Sequence, residues 1–86
     1  MSDRLAGKAA IITGAGSGFG EGMARRFAQE GCQVLVVDLD LESAEKVASE
    51  IGPQATPFRA DVSSSDDVSS MVEAAIMRFD KIDILV

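Results

Sequence analysis

Eighty-six residues, 47% of them hydrophobic and 26% charged, are enough for one compact domain and exclude two. The net charge of -6 excludes a nucleic-acid partner held by a basic surface. The absence of His, Tyr and Trp, with a single Cys, excludes a His-based triad, a Cys/His zinc site and a Tyr general acid within these residues.

Met1-Ser2-Asp3-Arg4 leads into a strand pattern with no signal-peptide core, and no apolar run approaches the roughly 20 residues that span a bilayer. With Cys32 lacking an internal disulfide partner, a cytoplasmic protein with no membrane partner is expected. Unbroken apolar runs then alternate with three-to-four spacing, the pattern of buried parallel strands and amphipathic helices. Ala9 to Thr13 is the first predicted strand. A helix follows, with Phe19, Met23, Ala24 and Phe27 on one face and Gly31 as a left-handed terminator. Gln33 to Asp38, rich in β-branched residues, is a second strand buried on both faces. Asp40 caps a second helix over residues 41 to 51; Ala44, Val47, Ala48 and Ile51 face inward, and Gly52-Pro53 stops it. Thr56 to Ala60 is a third strand, suited to an edge because Pro57 removes a ladder donor. Ser64 and Asp67 form a capping box for a third helix with Val68, Met71, Val72, Ala75 and Phe79 on one face. Ile82 to Val86 is the fourth strand.

Most Met and Phe residues are read as core fillers on these stripes, and Cys32 as an inert small apolar residue. Right-handed crossovers give an α/β, doubly wound parallel sheet of order 3-2-1-4, with the first two helices on one face and the third on the other. One helix over the second face, beside an unpaired fourth strand, predicts an apolar patch, and with it self-association or marginal stability.

The stretch Thr13-Gly14-Ala15-Gly16-Ser17-Gly18-Phe19-Gly20 joins a strand to a helix and holds four glycines within seven positions. Glycine permits positive φ and close backbone approach, so several N–H groups can converge on an anion at the positive end of the helix. A tight turn without a ligand is the plainer reading, but it needs only one or two glycines. The G-x-x-x-x-G-K-[ST] loop of nucleoside triphosphatases fails for want of the Lys, and G-x-G-x-x-G fails in every register. The pattern present is T-G-x-x-x-G-x-G.

These residues make the chain resemble the N-terminal portion of the short-chain dehydrogenase/reductase family. Gly7-Lys8 before the first strand, Thr13 through Gly20, Asp38, Asp61-Val62 after the third strand and Asp83-Ile84-Leu85-Val86 match the family's pattern in order. The one departure is Phe19, where the family more often carries Ile or Leu. The resemblance implies a Rossmann-type sheet, with residues 1 to 86 as a single incomplete dinucleotide-binding domain ending at the fourth strand. It also implies that Gly14 opens the turn, that Gly18 and Gly20 admit the phosphates and let helix and strand pack closely, and that Ser17 and the Phe19 backbone touch the cofactor.

Asp38 ends the second strand eighteen residues after Gly20, near the separation expected of the carboxylate that accepts from an adenosine ribose. A 2′-phosphate about 4 Å from it would be repelled by roughly 4 kcal/mol per unit pair at an effective dielectric near 20. NAD is therefore expected over NADP. Ser17 and Leu39, at two positions where the family often carries a basic residue for that phosphate, are not basic, and Arg25 and Arg26 lie too far along the helix. Two alternatives for Asp38 are a strand-end carboxylate capping the next turn, a task Asp40 already fills, and half of a metal-binding Asp38-x-Asp40 pair, for which no further oxygen ligands are evident. By resemblance Asp61 accepts from the adenine amine and Val62 packs on the ring; a plain strand-end turn is the alternative. The expected cofactor set is Gly14, Ser17, Gly18, Phe19, Gly20, Asp38, Leu39, Asp61 and Val62.

In the resembled family hydride passes between the nicotinamide and an alcohol or ketone, using an Asn-rich turn after the fourth strand, a Ser and a Tyr-x-x-x-Lys. None of these is present here, so the expectation is the adenosine and pyrophosphate half of a longer NAD-dependent oxidoreductase, inactive by itself and homo-oligomeric in its parent. The competing function is a nucleotide-binding or sensor module without chemistry.

Overall fold

The computed structural model describes residues 4 to 86; Met1 to Asp3, read above as free of a signal core, lie outside the described residues. Seven elements follow one another: β1 (Ala9–Ile12), α1 (Gly18–Gln29), β2 (Gln33–Asp38), α2 (Leu41–Ile51), β3 (Ala55–Arg59), α3 (Ser65–Phe79) and β4 (Ile84–Leu85). All strands are parallel and ordered β3-β2-β1-β4, as the right-handed crossovers require.

Side-chain alternation along the strands divides the core between two faces. Ala10, Ile12, Val34 and Val36 point to the side of α1 and α2, where they pack with Ala24, Ala28, Ala44, Val47 and Ala48. Ile11, Leu35 and Val37 point to the other side and meet Met71 and Ala75 of α3. Strands buried on both faces explain why β1 and β2 read as continuous apolar runs.

Helix ends follow local chemistry. Asp40 caps α2 by accepting from the Glu42 amide at 3.1 Å, and Gly52 ends it. α1 closes in a Schellman arrangement: the Gly31 amide donates to Ala28 O and the Cys32 amide to Phe27 O.

Several sequence readings need correction. Phe19 is 83% exposed rather than inward, because α1 starts beyond the carboxyl end of β1 and its first turn has no strand beneath it. Met77, outside the inward stripe read for the third helix, is exposed as well. β1 spans Ala9–Ile12, one residue shorter than expected, and the Thr13 amide and hydroxyl both donate to Val86 O, at 2.9 and 2.8 Å. β3 lies one residue earlier than expected, with Pro57 on the outer strand opposite Val36. β4 keeps only Ile84 and Leu85, flanked by ladder bonds from the Asp83 and Val86 amides to Ala9 O and Ile11 O. Only half of the capping box forms: Ser64 Oγ accepts from the Asp67 amide at 3.2 Å, but the Ser64 amide bonds Asp61 O.

Candidate functional site

Parallel strands bring their carboxyl ends to one edge, where the loops after β1, β2 and β3 gather. Strand order reverses there, because β2 and β3 lie to one side of β1 and β4 to the other. The glycine turn fills that switch point. Gly14 and Gly18 adopt φ of +62° and +58°, in the left-handed region that other L-residues avoid. Between them Ala15 is fully buried, its amide donating to Val37 O at 2.8 Å, which fastens the turn onto β2. Gly20 lets the first turn of α1 lie against the loop: a Cβ there would stand 2.2 Å from Gly14 O.

The start of α1 differs from the other helix starts. Ser17 occupies the N-cap position in extended conformation, yet its hydroxyl makes no capping bond, whereas Asp40 and Ser64 cap α2 and α3 with their own side chains. The first turn of α1 thus has no side-chain cap, and its amides lie at the positive end of the helix dipole.

Asp38 reaches back to this turn. Its Oδ2 accepts from the Gly16 amide at 2.9 Å and its Oδ1 from the Asp40 amide at 3.0 Å. Asp40 in turn accepts from the Glu42 amide and the Ser43 hydroxyl. All four oxygens of the Asp38-x-Asp40 pair therefore serve the protein's own donors, and the capping role weighed for Asp38 coexists with its place at the loop.

Farther along the edge, Asp61 Oδ1 accepts from the Ser63 hydroxyl and amide at 2.6 and 2.9 Å, and these two bonds hold its carboxyl below the usual range. Its own amide is held by Asp67 Oδ2 at 2.8 Å, the carboxylate that the capping-box reading assigned elsewhere. Phe19, Leu39, Leu41 and Val62 are exposed along the same edge, an apolar fringe around the polar turn.

Two residues of this edge escaped the sequence reading. Gly16 is the donor to Asp38, a contact across 22 positions with no local signal. Arg59 stands in register with Asp38 on the neighbouring strand, and its guanidinium pairs with Asp67 at 3.3 Å. Arg25 is committed to Glu21 and Glu50 and Arg26 to Glu30, in keeping with their expected distance from the turn. Among the described residues no helix is long and apolar enough to cross a membrane.

A doubly wound parallel sheet with a glycine-rich turn at its switch point defines a Rossmann-type α/β protein. The chain belongs to the short chain dehydrogenase family, whose model matches residues 8–86. It is 44% identical over 86 residues to the 7alpha-hydroxysteroid dehydrogenase of Escherichia coli K12, covering 96% of this chain and 34% of that enzyme. It is 45% identical over 78 residues to the sex determination protein tasselseed-2 of Zea mays, covering 91% of this chain and 23% of that protein. The crystal structure of 3-ketoacyl-(acyl-carrier-protein) reductase from Brucella melitensis complexed with NADH superposes with a TM-score of 0.92 at 58% identity, covering 94% of this chain and 33% of that one. The chain thus spans about a third or less of the length of these relatives, and the family is one of oxidoreductases.

Proposed function

We propose that residues 1 to 86 form one incomplete dinucleotide-binding domain, the adenosine and pyrophosphate half of the cofactor site of an NAD(H)-dependent oxidoreductase. The observation that carries this reading is the Asp38 carboxylate held at the glycine turn by the Gly16 amide, beside the helix start that no side chain caps. Such a donor set suits a diphosphate: open space lies where a Cβ would stand at Gly14 and at Gly18, and the amides of α1 have no competing side chain.

In this reading the turn from Gly14 to Gly20, with Ser17 and the Phe19 amide, takes the diphosphate. Asp38 accepts from the adenosine ribose, and Leu39, Asp61 and Val62 flank the adenine. Bound nicotinamide would supply hydride exchange with an alcohol or ketone. The chain's own residues bind and orient; with no Tyr or His among them, proton transfer at the substrate falls to residues outside this segment. The chain alone is expected to bind cofactor without turnover, and its parent to be cytoplasmic and homo-oligomeric.

Similar structures complexed with NADH support a nicotinamide dinucleotide. Asp38 at the end of β2, with no basic residue at position 17 or 39, supports NAD over NADP. Relatives named for a hydroxysteroid, for galactitol and for a 3-ketoacyl-(acyl-carrier-protein) leave the substrate open. Membership of a family of dehydrogenases and reductases does not favour a sensor without chemistry.

Calorimetric titration with NADH and NADPH tests the reading. NADH should bind at least about tenfold more tightly, the scale of one hydrogen bond to a charged group, and Asp38→Ala should abolish the difference. Equal affinities for the unaltered chain would overturn the role of Asp38. Binding of neither would overturn the site.

A further inference from the structure

Gly14 and Gly18 are needed for their backbone conformation and Gly20 for its contact with Gly14, but Gly16 fits neither explanation. Its φ lies outside the left-handed region, so an alanine could adopt it. What it lacks room for is a side chain: a Cβ would stand 2.7 Å from Ser43 Cβ, 2.8 Å from Asp38 Oδ2 and 2.9 Å from Asp38 Cγ. Contacts below 3.0 Å force one partner to move. Ser43 belongs to the first turn of α2, and its hydroxyl donates to Asp40 Oδ2 at 2.9 Å, so that wall is anchored. The Asp38 carboxyl, held by two hydrogen bonds at the tip of a side chain with two torsions, is the partner that gives way.

We infer that Gly16 is the positioning residue for cofactor selection: its amide aims the Asp38 carboxylate and its missing side chain makes the space in which that carboxylate stands. The inference rests on the reading of Asp38 as the ribose acceptor and extends it to a second residue that need not touch the cofactor with a side chain. Two donors from separate loops, Gly16 on one oxygen and Asp40 on the other, fix the plane of the carboxyl group. Losing either contact lets the negative charge remain while its direction is lost, so discrimination between an unphosphorylated and a 2′-phosphorylated ribose fades.

The test is titration of the full chain with NADH and with NADPH, in the unaltered protein and in Gly16→Ala, Asp38→Ala and Gly22→Ala. Gly16→Ala should weaken NADH about tenfold and NADPH no more than about twofold, narrowing the ratio toward that of Asp38→Ala. Gly22 lies exposed on α1 with no atom within 4 Å of an added Cβ, and its variant should keep the original ratio. The ratio is read because loss of folded protein lowers both capacities alike. A Gly16→Ala protein that keeps the original ratio, or weakens both cofactors equally, overturns the inference. If Asp38→Ala also leaves the ratio unchanged, the ribose reading itself has failed, which is a separate result. Should Gly16→Ala not fold, amide NMR of Asp38→Asn decides. A Gly16 resonance that moves more than that of Gly18, with a narrowed ratio, upholds the inference; an unmoved one overturns it.

Discussion

A methyl group on Gly20 would press on the Gly14 carbonyl at 2.2 Å, and both partners are backbone, so no rotamer change relieves it. Gly20→Ala should therefore lose about 2 to 3 kcal/mol in urea unfolding, the upper part of the overpacking range. Cys32 offers a second check. It is fully buried, its thiol donates to Gln33 O at 3.3 Å, and burial first, then the charge of Asp83, pushes it up to about 11. A raised folded value means that the stabilisation is complete below the unfolded thiol's pKa, about 8.5, and disappears as pH climbs toward the folded one. Urea midpoints measured from pH 8 to 11 should fall for the unaltered chain and fall less for Cys32→Ala. In the folded protein at pH 8 the thiol should resist a thiol reagent that labels it rapidly in urea.

At the level of elements, caps and strand ends can be tested independently of any ligand. Asp40→Ala and Ser64→Ala should each cost about 1 kcal/mol, measured by thermal or urea unfolding, because each leaves a first-turn amide without its acceptor. Asp83 closes the start of β1: its Oδ2 accepts from the Ala9 amide at 2.9 Å and pairs with Lys81 at 3.2 Å, and the Ala9 bond foremost holds its carboxyl below the usual range. A depressed folded value gives stabilisation that is present above the ordinary carboxylate pKa and is lost as pH falls through the lower one. The acid limb of a stability profile from pH 5 to 2 should therefore be shallower in Asp83→Asn. The cap at Asp40 and the full extent of α2 were legible in the sequence because capping and amphipathic period are local signals. The destination of the Asp67 carboxylate was not, since the Asp61 amide competes for it and wins through the turn after β3. Phe19 misled for a related reason: helical period assigns a face, but only the tertiary arrangement says whether a strand lies under it.

Across the whole molecule the two sheet faces are unequally covered. Among the described residues eleven buried ones form the cluster under α1 and α2 and six the one under α3, so the second face has less to hold it. Ile76 and Met77 of α3 and Leu85 of β4 remain exposed. Sedimentation velocity should show concentration-dependent association of the chain, reduced by Met77→Glu; a monomer at every concentration, melting cooperatively, would contradict this. The order β3-β2-β1-β4 was legible because crossover handedness leaves few arrangements open, and the place of Asp38 at the end of β2 because the β-branched run stops there. The Gly16 partner of Asp38 was hidden, since the loop after β1 meets the end of β2 only once the two strands are laid side by side. Ala15 has one last implication. With its side chain sealed in the core and its amide tied to β2, the turn is already rigid before any guest arrives. For the proposed diphosphate site this means that the entropic penalty of ordering the loop belongs to folding rather than to encounter.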